Sequence, residues 1–150
     1  MEVTLEEINE IQDIKLQHIL KEALDNPNCK IVNKFNYKIY VKVPSIANIQ
    51  LPYIREVYGL YISLYSDEIH VWVAVIDNGE IRDGYGIGSF SYNTSLNEII
   101  SKSTVKANMC DFCKQNVGLE NLVQIAFANK SCKDCAGKAR AKLETPGWYN

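Results

Sequence analysis

The stretch Phe35-Asn36-Tyr37-Lys38-Ile39-Tyr40-Val41-Lys42-Val43 decides the fold class. Successive side chains of a strand point to opposite faces. Phe35, Tyr37, Ile39, Val41 and Val43 therefore share one face, and Lys34, Asn36, Lys38, Tyr40 and Lys42 share the other. This pattern predicts a strand with one buried and one wet face. Pro44 stops it, and residues 44–56, with Pro44 and Pro52, read as a connection. Strands resume at 57–65 and 69–77. Asp77-Asn78-Gly79 predicts a tight hairpin, because Asn and Gly accept the positive φ angles of a type I′ turn. A fourth strand follows over residues 80–91.

Helical patterns flank these strands. Thr4 and Glu7 form a capping box in which each side chain can satisfy an orphan backbone donor. Leu5, Ile8, Leu16, Ile19, Leu20 and Ala23 then fall on one face at the helical period, whereas Ile11 and Ile14 fall off it. One N-terminal helix is predicted, closed by Pro27. Ser95 and Glu98 open a short helix at 95–103 over Leu96, Ile99 and Ile100. The predicted class is α+β: an N-terminal helix, a four-stranded antiparallel meander, a short helix and a C-terminal cysteine-bearing module.

The chain has 150 residues, 47% of them hydrophobic and 23% charged, which suits a globular fold and argues against disorder. Its charge is uneven. Residues 1–105 carry 9 basic and 14 acidic side chains, and residues 106–150 carry 7 and 4. The second stretch also holds the four paired cysteines. We therefore divide the chain into an α+β domain, 1–105, and a module, 106–150. No apolar run approaches the roughly 18 residues of a transmembrane helix, and the acidic start MEVTLEEINE lacks the features of a signal peptide. The expected setting is cytoplasmic, with no membrane partner.

The module carries the strongest chemical signal. Cys110-Asp111-Phe112-Cys113 is followed, eighteen residues on, by Cys132-Lys133-Asp134-Cys135. A Cys-x-x-Cys turn presents two thiolates to one ion, and two such turns complete a four-sulfur shell. A reducing compartment favours metal over disulfides. Leu119, Leu122, Val123, Ile125 and Phe127 can form a hairpin between the pairs, and residues 136–143 are helix formers. The same cysteines can also serve as two redox pairs, or hold iron as in rubredoxin. Structural Zn²⁺ held by Cys110, Cys113, Cys132 and Cys135 is the favoured reading, because a closed four-cysteine shell leaves no position for a catalytic water.

The run from Cys110 to Glu144 resembles a treble-clef zinc finger, nearest in spacing to the GATA type. The resemblance implies a knuckle with the first pair, a hairpin, and a second pair opening a helix. It covers these residues alone. The hairpin NLVQIAFANKS and the tail TPGWYN lack the aromatic, arginine and basic-tail residues with which that type reads DNA.

A second feature lies on the wet sheet face. Alternation places Lys34, Lys38, Tyr40 and Lys42 beside Tyr61 and Tyr65, then His70 and Trp72, with Arg82 on the last strand. Interleaved rings and cations can stack single-stranded nucleic acid, or bury against the module, a helix or a second copy of the chain. Gly84, Gly86 and Gly88 would leave one face of the last strand bare. Cys29 reads as a small buried apolar group.

No nucleophile, base and open metal position occur together in the sequence. The sequence reading is a non-enzymatic zinc protein that binds another protein as a small adaptor, regulator or inhibitor. The abundance of Asn, Ile and Lys suits an AT-rich genome such as that of a bacteriophage or mobile element. The alternative is nucleic-acid binding through Lys133, Lys138, Arg140 and Lys142 on the finger, or through Lys38, Tyr40, Tyr61 and Trp72 on the sheet. Self-association is a further option.

Overall fold

A computed structural model of the chain describes residues 3–51, 55–125 and 129–136. Thr4 caps the first helix as expected, its hydroxyl accepting from the Glu7 N–H at 3.2 Å. The single predicted helix is, however, two: α1 spans Leu5–Asn9 and α2 spans Ile14–Leu24. The break has a local cause. The Asp13 carboxylate accepts from the N–H groups of Lys15 and Leu16, at 3.0 and 3.3 Å, and so starts a new helix. Ile11 and Ile14, the two residues off the apolar face, sit at this break, where Ile11 packs on the core and Ile14 is exposed. Asp25 caps the end of α2, ahead of Pro27.

The sheet has more strands than the sequence reading gave. β1 (Cys29–Lys34), β2 (Asn36–Lys42), β4 (Arg55–Leu64), β5 (Ile69–Asp77) and β6 (Glu80–Phe90) form an antiparallel meander in that spatial order. The two-residue β3 (Gln50–Leu51), within the predicted connection, pairs with β4. Phe35 does not continue a strand. It is the single residue between the paired Lys34 and Asn36, its φ is +71°, and its side chain is 99% exposed. Residues before it fold back as β1, which puts Phe35 at a hairpin tip rather than on the buried face. The rest of the alternation is as expected: Ile39, Val41 and Val43 are buried, and Tyr37 packs on the core while its hydroxyl meets Glu7 Oε2 at 3.1 Å. Asn78 and Gly79, at φ +52° and +78°, form the anticipated turn between β5 and β6.

Two glycine features shape the sheet. Pairing between β4 and β5 slips between Val57 and Gly59. A Cβ on Gly59 would lie 1.9 Å from the Val41 carbonyl oxygen, so only glycine lets β2 approach there. In β6, register shifts on either side of Trp72 set Gly86 opposite Trp72 but Gly88 opposite Val71, a core residue. The three glycines therefore do not form the uniform bare stripe that simple alternation implies.

Helix α3 (Leu96–Ala107) is capped by Ser95, whose hydroxyl accepts from the Glu98 N–H at 3.2 Å, and runs past the predicted end at 103. The Leu96 N–H donates to Glu22 Oε2 at 2.9 Å, tying α3 to α2. Buried residues of all three helices join one apolar cluster with the inward side chains of the strands, among them Ile8, Leu20, Ile39, Leu60, Ile62, Val73 and Ile99. The C-terminal part contributes to it too. A 3₁₀ turn (Leu119–Asn121) leads into a hairpin of β7 (Leu122–Ile125) and β8 (Asn129–Cys132), and Ala107, Cys110, Leu119, Leu122 and Cys132 belong to the same cluster. No helix among the described residues is long and apolar enough to cross a membrane. The Gly59→Ala change should lower stability by about 3 kcal/mol or more, because backbone must move to admit the methyl group; thermal melting reads this, and an unchanged midpoint would contradict the close β2–β4 approach.

Candidate functional site

The first cysteine pair sits in a turn formed after α3. Lys114 N–H donates to Cys110 O at 3.0 Å, and Met109 bridges to Asn116. The second pair spans the end of β8 and the single helical turn at 133–136. These elements bring Cys110, Cys113, Cys132 and Cys135 together, with all four sulfurs within 4.8 Å of one another. No cysteine is in a disulfide. Four sulfurs about 2.3 Å from a tetrahedral metal stand about 3.8 Å apart. The Cys113–Cys132 separation is 3.9 Å. The donor set and its spacing fit a metal ion. Among the described residues no other His, Cys, Asp or Glu side chains converge this way.

Electrostatics prepare the site for a cation. Burial opposes ionisation of Cys110, but N–H donation from Cys113, Cys132 and Phe112 outweighs it and holds the thiol down at about 6. The Phe112 and Cys113 amides reach its sulfur at 3.4 and 3.5 Å. Cys135 moves the other way, pushed up to about 12 by its Cys132 neighbour, by burial and by the remaining thiols. Cys113 is also raised: the Gln115 N–H favours its thiolate, but burial together with the Cys110 and Cys132 thiols outweighs it. Four thiolates in one place repel; a bound divalent ion removes that penalty and displaces the remaining protons.

A clamp holds the two halves in register. The Asp111 carboxylate accepts from the Lys130 N–H at 2.8 Å and from Lys130 Nζ at 3.1 Å. In return the Asp111 N–H donates to Lys130 O at 2.9 Å. Lys130 is fully buried. It follows that this lysine fixes β8 against the first turn, two residues before Cys132. The sequence reading missed this pair. Its only trace was an acid inside the first Cys-x-x-Cys and a lysine two positions ahead of the second.

The rings of the wet sheet face are assembled as the alternation implied, whereas the register shifts in β6 pair Arg82 with the buried Val75 and set Asp83 opposite Ala74. Tyr40, Tyr61 and Trp72 stand opposite one another across β2, β4 and β5. Tyr40 meets Tyr61 edge-on at 5.1 Å, and Tyr61 meets Trp72 edge-on at 5.7 Å. His70 stacks on Trp72 at 5.9 Å and meets Tyr65 at 4.9 Å. All five rings are half-buried or exposed. Burial and the nearby Tyr40 push Tyr61 up to about 12. The rings do not pack into the apolar core, which lies on the other face.

Lys34, Phe35, Lys38, Tyr40, Tyr61 and Arg82 line a trough of about 490 Å³ at one end of this face. Lys38 donates to Lys34 O and to Asn36 Oδ1, and Arg82 pairs with Glu80 at 3.2 Å. Cys29 is half-buried, and burial pushes its thiol up to about 11. Lys133 is exposed beside the second cysteine pair, while Lys138, Arg140 and Lys142 lie outside the described residues.

No protein-family model matches the chain, and neither the curated proteins nor the solved structures give a match. Two outcomes test the metal centre. Cys132→Ser should abolish stoichiometric metal binding and unfold the C-terminal module, read by metal analysis and melting; full metal content with unchanged melting would contradict the site. Asp111→Asn should weaken metal retention by about 10–100-fold in a chelator competition, as loss of groups that orient ligands does; unchanged retention would show that the clamp does not position the cysteines.

Proposed function

We propose that this chain is a non-enzymatic zinc protein that binds another protein, as a small adaptor, regulator or inhibitor. The metal we assign is Zn²⁺, because an all-cysteine tetrahedral shell is a structural zinc set and leaves no position for a reacting water. The order of knuckle, hairpin and helical turn supports a treble-clef arrangement. Bound zinc would contribute roughly 10–16 kcal/mol of apparent free energy to a module of this size. Its role is to hold the C-terminal part against the shared core.

The observation that carries the binding role is Phe35. A fully exposed phenylalanine in a left-handed conformation gains nothing from burial in the free protein. Strain of this kind persists where something other than stability selects the residue. Phe35 borders the trough, and the trough continues into the Tyr40–Tyr61–Trp72 ladder. Tyrosine, tryptophan and phenylalanine beside arginine are the residues that anchor protein interfaces. Charge favours protein over nucleic acid. The formal net charge is −2, four thiolates with one Zn²⁺ bring it to roughly −4, and Asp83 lines the trough with the lysines.

Phe35→Gly separates function from stability. Glycine relieves about 1–2 kcal/mol of left-handed strain and costs about 0.5–1 kcal/mol in chain entropy, so the variant should be at least as stable as the wild type. It should nonetheless lose a protein that the wild type retains from a cell extract, as should Tyr61→Ala. Retention of the same protein by both variants would refute the reading. Micromolar, strongly salt-dependent binding of single-stranded RNA that Phe35→Gly and Tyr61→Ala both weaken would replace it with nucleic-acid recognition.

A further inference from the structure

A second depression lies at the opposite end of the aromatic ladder, between β5–β6 and the first cysteine turn. It is a cleft of about 510 Å³ lined by His70, Trp72, Gly86, Lys106, Asp111 and Lys114, among others. Its volume is in the range of small-molecule sites. Three chemical features converge there. The Trp72 indole forms one wall, backed by the stacked His70 ring. Opposite Trp72 the strand carries Gly86, whose missing side chain leaves room for a flat group to slide against the indole. Lys106, in the last turn of α3, and Lys114, in the cysteine turn, are exposed and make no ion pair among the described residues.

The acids nearby are already committed. Asp111 is held by Lys130, and Glu68 by His70 Nε2 at 2.7 Å. Asp111 thus lines the cleft beside Lys106 and Lys114 with its charge offset by the buried Lys130, which leaves the two exposed lysines as the unpaired charges of the lining among the described residues. Lys114 is notable for its conformation. Its φ of +63° is one that glycine adopts freely, yet the turn places a lysine there, beside the cleft.

We propose that this cleft is a nucleotide site, which takes the base between Trp72 and the bare strand at Gly86 and the phosphate at Lys106 and Lys114. Every base offers a flat π-face to an aromatic wall, and two mobile ammonium groups match a phosphate as point charges. The site is separate from the Phe35 trough and does not rest on the protein-binding reading.

The test is calorimetric titration of the zinc-loaded full chain with AMP, UMP, inorganic phosphate and a uridine pentanucleotide. The expected result is one saturable site for AMP or UMP, weaker at higher salt, with phosphate alone weaker by about tenfold or more. Lys106→Ala with Lys114→Ala should reduce affinity by about tenfold or more through loss of the phosphate contacts. Gly86→Val, which keeps both lysines but fills the floor, should do the same, and melting confirms that each variant is folded. Should Gly86→Val fail to fold, Trp72→Ala removes the wall instead. A pentanucleotide bound more tightly than UMP identifies the ligand as part of a strand; equal affinities identify a free nucleotide. Absence of saturable binding for all nucleotide probes up to about 5 mM would overturn the proposal, as would phosphate binding as well as AMP, or binding that survives both sets of variants.

Discussion

The meander buries one face only, and the placement of everything else follows from this. The inward residues of β2, β4 and β5 form the floor of the core, and α1, α2, α3 and the C-terminal hairpin all contribute to the same apolar cluster. Antiparallel sheets commonly leave one face to solvent. In most such sheets the wet face is charged and sparse. Here it carries five rings in mutual contact, from Tyr40 on β2 to Tyr65 beside His70. Edge-to-face pairs of this kind contribute about 0.5–1.5 kcal/mol each beyond the area they bury.

The cluster of four cysteines lies beside that arrangement. Cys110 follows α3 closely, and Cys132 ends a strand that the Asp111–Lys130 clamp pins to the first cysteine turn. Breaking a buried ion pair by removing one partner leaves an uncompensated charge, which is strongly destabilising. The clamp therefore gives the two cysteine turns one register. Asp111 and Lys114 of the first cysteine turn line the cleft at Trp72 together with β6. Fold, metal and surface are in this way parts of a single construction.

Much of this was legible in the sequence, where each signal is local. The Asn78-Gly79 turn, the alternation at Ile39, Val41 and Val43 and the Thr4 and Ser95 caps depend on neighbours a few residues away, and the repeated Cys-x-x-Cys spacing announced the cluster of four cysteines. The failures have physical causes of the same kind. Asp13 splits the first helix because a carboxylate cap outcompetes continued periodicity. Phe35 was assigned to a strand because its hydrophobicity fits the alternation, whereas a hairpin with one residue between its strands leaves it no choice but the tip. The Asp111–Lys130 clamp and the Lys106–Lys114 cleft join residues whose proximity depends on the tertiary fold, and no spacing rule announces them.

An aromatic face that binds a partner must be open to solvent in the free protein. Hydroxyl-radical footprinting of the metal-loaded protein reads this, because it reports side-chain exposure ring by ring. Rapid modification of Phe35, Tyr40, Tyr61 and Trp72 is expected, with slow modification of Tyr85, which is buried on the other face. Rates for Tyr40, Tyr61 and Trp72 as slow as that of Tyr85 would show the face covered in the free protein and would overturn the binding reading.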